Sequence, residues 1–241
     1  MERAVHAEWT GGPLMRGRAE ALLREQRELS ESGGFHATFQ RSTLAWARRP
    51  PAGGDRRPDR PTVIVRGMPE LIAPSPHLHS SWLDAQREWG ADAHMDGGGL
   101  GSDDEVDTPE GFAAWVERLR RCSDRTLPVD HGRVHATYWW IADGDTYLGA
   151  IDLRHYLNGF LLDAGGHIGY SVRPSARRRG LATWALGAVL HEARVLGMDR
   201  VLLTCDPDNE ASVRTIEGNG GRLEDVRDTL IGPKRRYWID L

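Results

Sequence analysis

The 241-residue chain carries 39% hydrophobic and 27% charged residues, which suits a packed core and is too apolar for a disordered chain; at ~150 residues per domain the length allows one or two domains. No run of ~18 apolar residues is present, which excludes a membrane-spanning helix, and residues 1–10 lack the apolar stretch of an export signal. The net charge of −4 argues against a protein that coats nucleic acid, and two distant cysteines, Cys122 and Cys205, build neither a zinc framework nor a disulfide scaffold, so a reducing, cytoplasmic setting is expected.

Residues 1–60 differ from the rest. They hold eleven Arg against eight Asp plus Glu, a net of +3, and a Pro/Gly/Arg stretch over 48–58. One amphipathic helix over 14–29 followed by a linker describes them, as a basic and largely disordered extension to a folded domain over 61–241. The β-branched run at 62–66 predicts a first strand, and 76–89 a helix. Residues 92–110 are Gly-rich and acidic, which reads as a long exposed loop. Thr108 fits a helix N-cap with Pro109 in the first turn, and Phe112, Trp115, Val116 and Leu119 recur on one helical face. Strands over 134–142 and 146–153 flank Asp143-Gly144, a hairpin turn signal. Trp139 and Trp140 then point to opposite faces, one into the core and one toward a groove. An insertion fills 154–165, and 166–173 predicts a further strand.

The informative stretch follows. A strand (167–172) runs into a short loop carrying Arg177, Arg178, Arg179 and Gly180. A helix begins there, with Ala182, Leu186, Val189, Leu190, Ala193 and Leu196 at helical spacing and Gly197 placed to end it. A buried strand over 200–205 comes next. The first turn of a helix has unpaired N–H groups and the positive end of the macrodipole, so a loop wrapped around it cradles phosphate. Gly180 lets the backbone approach closely, and the arginines add attraction at the mouth. No G-x-x-x-x-G-K-[ST] and no G-x-G-x-x-G after a strand is present, so neither common nucleotide fold is indicated. His77-x-His79 lacks the further ligands of a metal site.

Arg177-x-x-Gly180-x-Ala182 fits an R/Q-x-x-G-x-G/A loop, and in this strand–loop–helix–strand setting the segment resembles the GNAT superfamily of acetyl-CoA-dependent N-acetyltransferases. The resemblance spans about residues 62–241 and is most specific over 166–221. Asp208-Asn209-Glu210-Ala211-Ser212 is similar to the family's D-N-x-x-S helix start. Asn219-Gly220-Gly221 is similar to the turn ending that helix, and Tyr237-Trp238-Ile239 to the closing strand. The fold it implies is α+β: a mixed, mostly antiparallel central sheet with helices on both faces, preceded by a poorly ordered N-terminal arm.

The resemblance also implies roles. The pyrophosphate of the acetyl-CoA cosubstrate would rest on backbone amides of Arg177, Arg178, Arg179, Gly180, Leu181, Ala182 and Thr183. The pantetheine arm would pair with main chain at Tyr170, Ser171 and Val172, where an amide stabilises the developing oxyanion, and Asn209 would hold that arm. A neutral amine then attacks the thioester directly, with no metal, and effective molarity contributes up to ~7–11 kcal/mol. The chain departs from the family at Ile216, which stands where many members carry a Tyr that protonates the thiolate; Ser212, one turn earlier, is the replacement candidate. His167 is the candidate base, with a reference pKa of ~6.5, and Asp152 and His155 are alternatives. Cys205 reads as a buried, inert thiol. The acidic loop would attract a cationic acceptor. The rival reading is a non-catalytic acyl-CoA-binding module, kept alive by Ile216. Membrane and nucleic-acid partners are not expected. The amine acceptor stays unidentified and the oligomeric state open, a homodimer among the options.

Overall fold

A computed structural model of the chain describes residues 68–90, 95–129 and 132–241. The basic extension, its helix over 14–29 and the strand expected over 62–66 lie outside the described residues. The elements run β1 (Glu70–Ile72), a 3₁₀ turn (Pro76–Leu78), α1 (His79–Trp89), α2 (Pro109–Arg121), β2 (Ala136–Asp143), β3 (Thr146–Arg154), a π-helical turn (Leu161–Gly165) and β4 (Ile168–Val172). A second 3₁₀ turn (Pro174–Ala176), α3 (Leu181–Val195), β5 (Arg200–Cys205), α4 (Glu210–Glu217), β6 (Arg222–Thr229) and β7 (Gly232–Asp240) complete the chain. This is the expected α+β architecture.

Local chemistry accounts for the boundaries. Thr108 Oγ1 accepts the Gly111 N–H at 3.1 Å, with Pro109 opening α2. Gly144 takes φ +56° in the two-residue turn that joins β2 to β3 at the pair Asp143–Thr146. Gly197, at φ +79°, follows the end of α3. The sequence reading missed β1 and β6. β1 is three residues long, and β6 alternates charged residues with few apolar ones because one edge and one face are exposed.

Alternation along β2 and β3 creates two cores. Trp140, Ala142, Tyr147 and Ala150 face α1 and α2, where Trp82, Phe112 and Trp115 complete an aromatic cluster. Ile141, Leu148 and Ile151 face the other way, onto Leu186, Val189 and Leu190 of α3 and Ile216 of α4. Helices therefore cover both faces. Trp139 packs against this second core and does not line the cleft described below. Among the described residues, no helix is long and apolar enough to cross a membrane.

The strands form two sheets, ordered β1-β2-β3-β4 and β5-β7-β6, with every ladder antiparallel. β4 and β5 do not continue one ladder. They meet at one point, just before β4 begins. The His167 N–H donates to Leu202 O at 2.7 Å, and the Leu202 N–H donates back to His167 Nδ1 at 2.8 Å. The 154–165 connection reinforces the joint: Thr204 Oγ1 donates to Ala164 O at 2.5 Å. Buried Arg236 of β7 reaches the Leu162 and Asp163 carbonyls.

Burial, followed by the charges of Arg154 and Arg200, lowers the His167 pKa from 6.5 to about 4. The folded ring therefore refuses a proton that the unfolded chain accepts. Its contribution to stability is complete above about 6.5, declines as pH falls, and stops changing below about 4. His167→Ala is expected to destabilise the fold by ~1–3 kcal/mol through the orphaned Leu202 N–H. It should also make the acid limb of a urea-denaturation profile shallower, leaving the slope due to His155, whose pKa is likewise lowered to about 4.

Candidate active site

Where β4 and β5 part, a cleft of about 770 Å³ opens, floored by β4 and walled by the starts of α3 and α4. Of the cofactor residues expected from the sequence, all but Arg179 line it: Tyr170, Ser171 and Val172 from β4, Arg177, Arg178, Gly180, Leu181, Ala182 and Thr183 from the loop and α3, and Asn209 and Ser212 from α4. Arg179 is exposed beside the cleft lining.

The loop is shaped by its backbone. Arg178 adopts φ +60°, unusual for a residue with a side chain, and Gly180 caps α3 at φ +75°. A Cβ on Gly180 would meet nothing within 4 Å, so the space beside it is open to a ligand. No side chain caps α3, so its first N–H groups are left for an anion. Two contacts fix the loop. Arg177 Nε donates to Val172 O at 3.1 Å. Glu88, at the end of α1, accepts from Arg173 Nε at 2.8 Å, the Ser175 N–H at 3.0 Å and Ser175 Oγ at 3.2 Å.

The opposite wall is α4. Asn209 Oδ1 accepts the Ser212 N–H at 3.1 Å, so the D-N-x-x-S sequence acts first as a helix cap. That leaves the Asn209 amide N–H groups for a ligand. Tyr170 reaches across from β4, its hydroxyl donating to Ser212 O at 3.4 Å. Burial raises its pKa to about 12, so the phenol keeps its proton. Ile216 is buried in the core among α3 and β5 residues. The α4 residues that line the cleft are Ala211, Ser212, Arg214 and Thr215, with Ser212 and Thr215 supplying hydroxyls. Thr215 was missed, although it lies three residues from Ser212 and so on the same helical face. Asn219 Nδ2 donates to Thr183 O at 3.2 Å and Thr215 O at 2.8 Å, tying α3 to α4.

The candidate bases stand elsewhere. His167 is at the joint, outside the cleft lining, with Nδ1 engaged by Leu202. This geometry gives the ring a structural task. His155 is buried against Thr137 and Arg125, also away from the cleft. Asp152 lies buried behind β4, accepting the Gly169 N–H at 2.7 Å and Arg154 Nε at 3.0 Å. Burial raises its pKa, partly opposed by Arg154. Cys205 is buried, and its pKa is pushed up to about 11 by burial, the reverse of an activated thiol. Among the described residues, no group of three His, Cys, Asp or Glu could hold a metal ion.

Part of the acidic loop corrects the sequence reading. Gly97 and Gly98 are buried, and Arg118 donates to Gly99 O at 3.0 Å and pairs with Asp104. The segment is docked against β2 and β4 because glycines allow backbone contact there. It brings Asp96 to the cleft, together with Trp89 from α1.

An uncapped helix start beside a gap between splayed strands is the arrangement that the resemblance to acetyl-CoA-dependent acyltransferases implies. The chain belongs to the GNAT acetyltransferases: the acetyltransferase (GNAT) domain model matches residues 80–222. The family's acyl donor is acetyl-CoA. Solved structures of similar fold include RimL, the ribosomal L7/L12 alpha-N-protein acetyltransferase, in complex with coenzyme A. It is 18% identical over 74% of this chain and 96% of that one, with a TM-score of 0.54. The microcin C7 self-immunity acetyltransferase MccE, with acetyl-CoA and AMP, is 15% identical over 75% and 99%, TM-score 0.53. RimJ of Mycobacterium smegmatis, with a CoA disulfide, is 18% identical over 72% and 82%, TM-score 0.53. No protein of curated function matches the chain by sequence.

The Glu88 contact has a pH signature. The Arg173 hydrogen bond, aided by Ser175, lowers its pKa from 4.5 to about 2 against a burial effect of opposite sign. Its stabilisation is complete above 4.5 and is lost as pH falls through about 2. The melting temperature of Glu88→Gln is expected to lie below that of the wild type near neutrality, with the gap closing across that window. A gap that persists below about 2 would contradict the assignment.

Proposed function

We propose that the chain is an N-acetyltransferase that moves an acetyl group from acetyl-CoA to a primary amine by direct attack in a ternary complex. The observation that carries this reading is the uncapped start of α3, opening through Gly180 onto a cleft that runs along β4. Residues 61–241 are read as the catalytic domain, with 1–60 as an extension to it.

In this reading, amides from Arg177 to Thr183 hold the pyrophosphate, and Arg178 and Arg179 add charge at the mouth. Main-chain groups of Tyr170, Ser171 and Val172, with the Asn209 side-chain amide, hold the pantetheine arm. Its thioester then lies near Tyr170, where the amine attacks. Ser212 is the proton donor toward the leaving thiolate, with Thr215 and the protonated Tyr170 hydroxyl beside it to orient it. His167 is a positioning residue that fixes where β4 and β5 separate. RimL acts on the α-amine of a ribosomal protein by its name, so a peptide with a free N-terminus belongs in the acceptor panel.

The burial of Ile216 favours one rival, a domain that binds acyl-CoA without turnover. Two measurements separate the readings. Titration calorimetry with coenzyme A should show binding to the wild type and none to Gly180→Glu, whose side chain enters the open space at the cradle; retained affinity would argue against the cradle. Release of free thiol from acetyl-CoA across a panel of amines should occur. Binding with no turnover of any amine supports the rival. Asn209→Ala is expected to weaken acetyl-CoA use by ~1–2 kcal/mol, through loss of a hydrogen bond and of the helix cap, read as a rise in KM for acetyl-CoA.

A further inference from the structure

β6 pairs with β7 on one side, and no described strand pairs with its other edge. A free edge offers a row of unpaired N–H and C=O groups to another strand. The same hairpin carries apolar surface. Leu223 and Val226 on β6, and Leu230 and Ile231 in the turn to β7, are each more than half exposed. They are four of the ten large hydrophobic residues exposed among the described residues, and apolar side chains gathered in this way mark a surface that meets a partner.

Charge often protects an edge strand from pairing, and five of the eight residues of β6 are charged. Both signs are present, in an order that a second copy of the strand complements. Two copies joined edge to edge about a two-fold axis run antiparallel, with one residue opposite itself. Opposed residues share a sheet face. The register with β7 puts Val226 on the face of Arg235 and Tyr237, and Asp225 and Arg227 on the face of Arg236 and Lys234. The ladder is irregular between Leu223 and Asp225, so the regular part of β6 begins at Asp225.

This leaves few residues that could lie on the axis. Asp225, Arg227 or Asp228 would each face its own charge, which destabilises a strand pair. Thr229 is the last residue of the strand. Val226 would face Val226, an apolar pair, and would set Asp225 of each copy opposite Arg227 of the other. Asp225 and Arg227 already pair within one chain at 2.7 Å, so the second copy extends an alternating row of charge. In this register the turn carrying Leu230 and Ile231 reaches the Leu223 end of the neighbouring strand, and the exposed apolar residues of the two copies meet.

We propose that the protein forms a two-fold homodimer through β6, which joins two three-stranded sheets into one, with Val226 opposite Val226 at the centre. The partner is a second copy of this chain, recognised by an open strand edge, an apolar strip and a self-complementary order of charge. The inference concerns assembly and stands apart from the acetyltransferase reading.

The test is sedimentation velocity on the full chain at tens of micromolar, where the dimer has twice the 26.9 kDa of one copy. Val226→Lys and Val226→Asp should each raise the dissociation constant of the dimer about tenfold or more, because like charges then meet on the axis. Val226 is exposed, so both variants should melt close to the wild type. Mixed in equal amounts, the two should form a heterodimer, lysine against aspartate. A monomeric wild type overturns the inference. A dimer that neither variant weakens also overturns it, by assigning the contact to residues outside β6, those before residue 68 included. Two monomeric variants that stay apart on mixing overturn the axis at Val226, and the proposed pairing with it.

Discussion

Two hydrogen bonds between His167 and Leu202 decide where the sheet stops being one sheet. A strand pair normally continues until its backbone groups are all matched, because an unmatched buried N–H costs more than a matched one gains. Here one of the two bonds uses a side-chain nitrogen. The ring satisfies Leu202 without requiring the next residue of β4 to pair with β5. The cleft lies beyond that point. The gap, the unpaired edge of β4 and the facing helix starts exist because the ladder ends there.

The cleft is then furnished by short-range devices. Left-handed backbone at Arg178 and Gly180 turns the loop around α3, and Glu88 anchors that loop to α1 through three donors. An Asn cap opens α4, and the phenol of Tyr170 spans the floor. None of these groups is an obviously reactive side chain. In the proposed reading such a site works by placement, holding a donor and an acceptor together.

Much of this was legible in the sequence because it depends on local patterns. The hairpin at Asp143-Gly144, the Thr108 cap, the periodicity of α3 and the loop at Arg177–Gly180 are all written in contiguous residues. What was not legible depends on distant contacts. His167 invites a catalytic reading by its titration range, and only its partner 35 residues away shows it as a joint. Gly97 belongs to a run that looks like solvent-exposed chain until Gly169 is brought against it. Ile216 falls at a family position but points into the core, and Thr215 beside it does the facing. The edge strand β6 has too few apolar residues to signal itself.

Asn219 has a mechanical effect larger than its size. Its amide nitrogen grips the Thr183 carbonyl at the front of one helix and the Thr215 carbonyl within the next, tying the two helices on one side of the crevice. The opposing side of the crevice is the glycine segment resting on β4, held there by main-chain apposition and the Arg118 anchor.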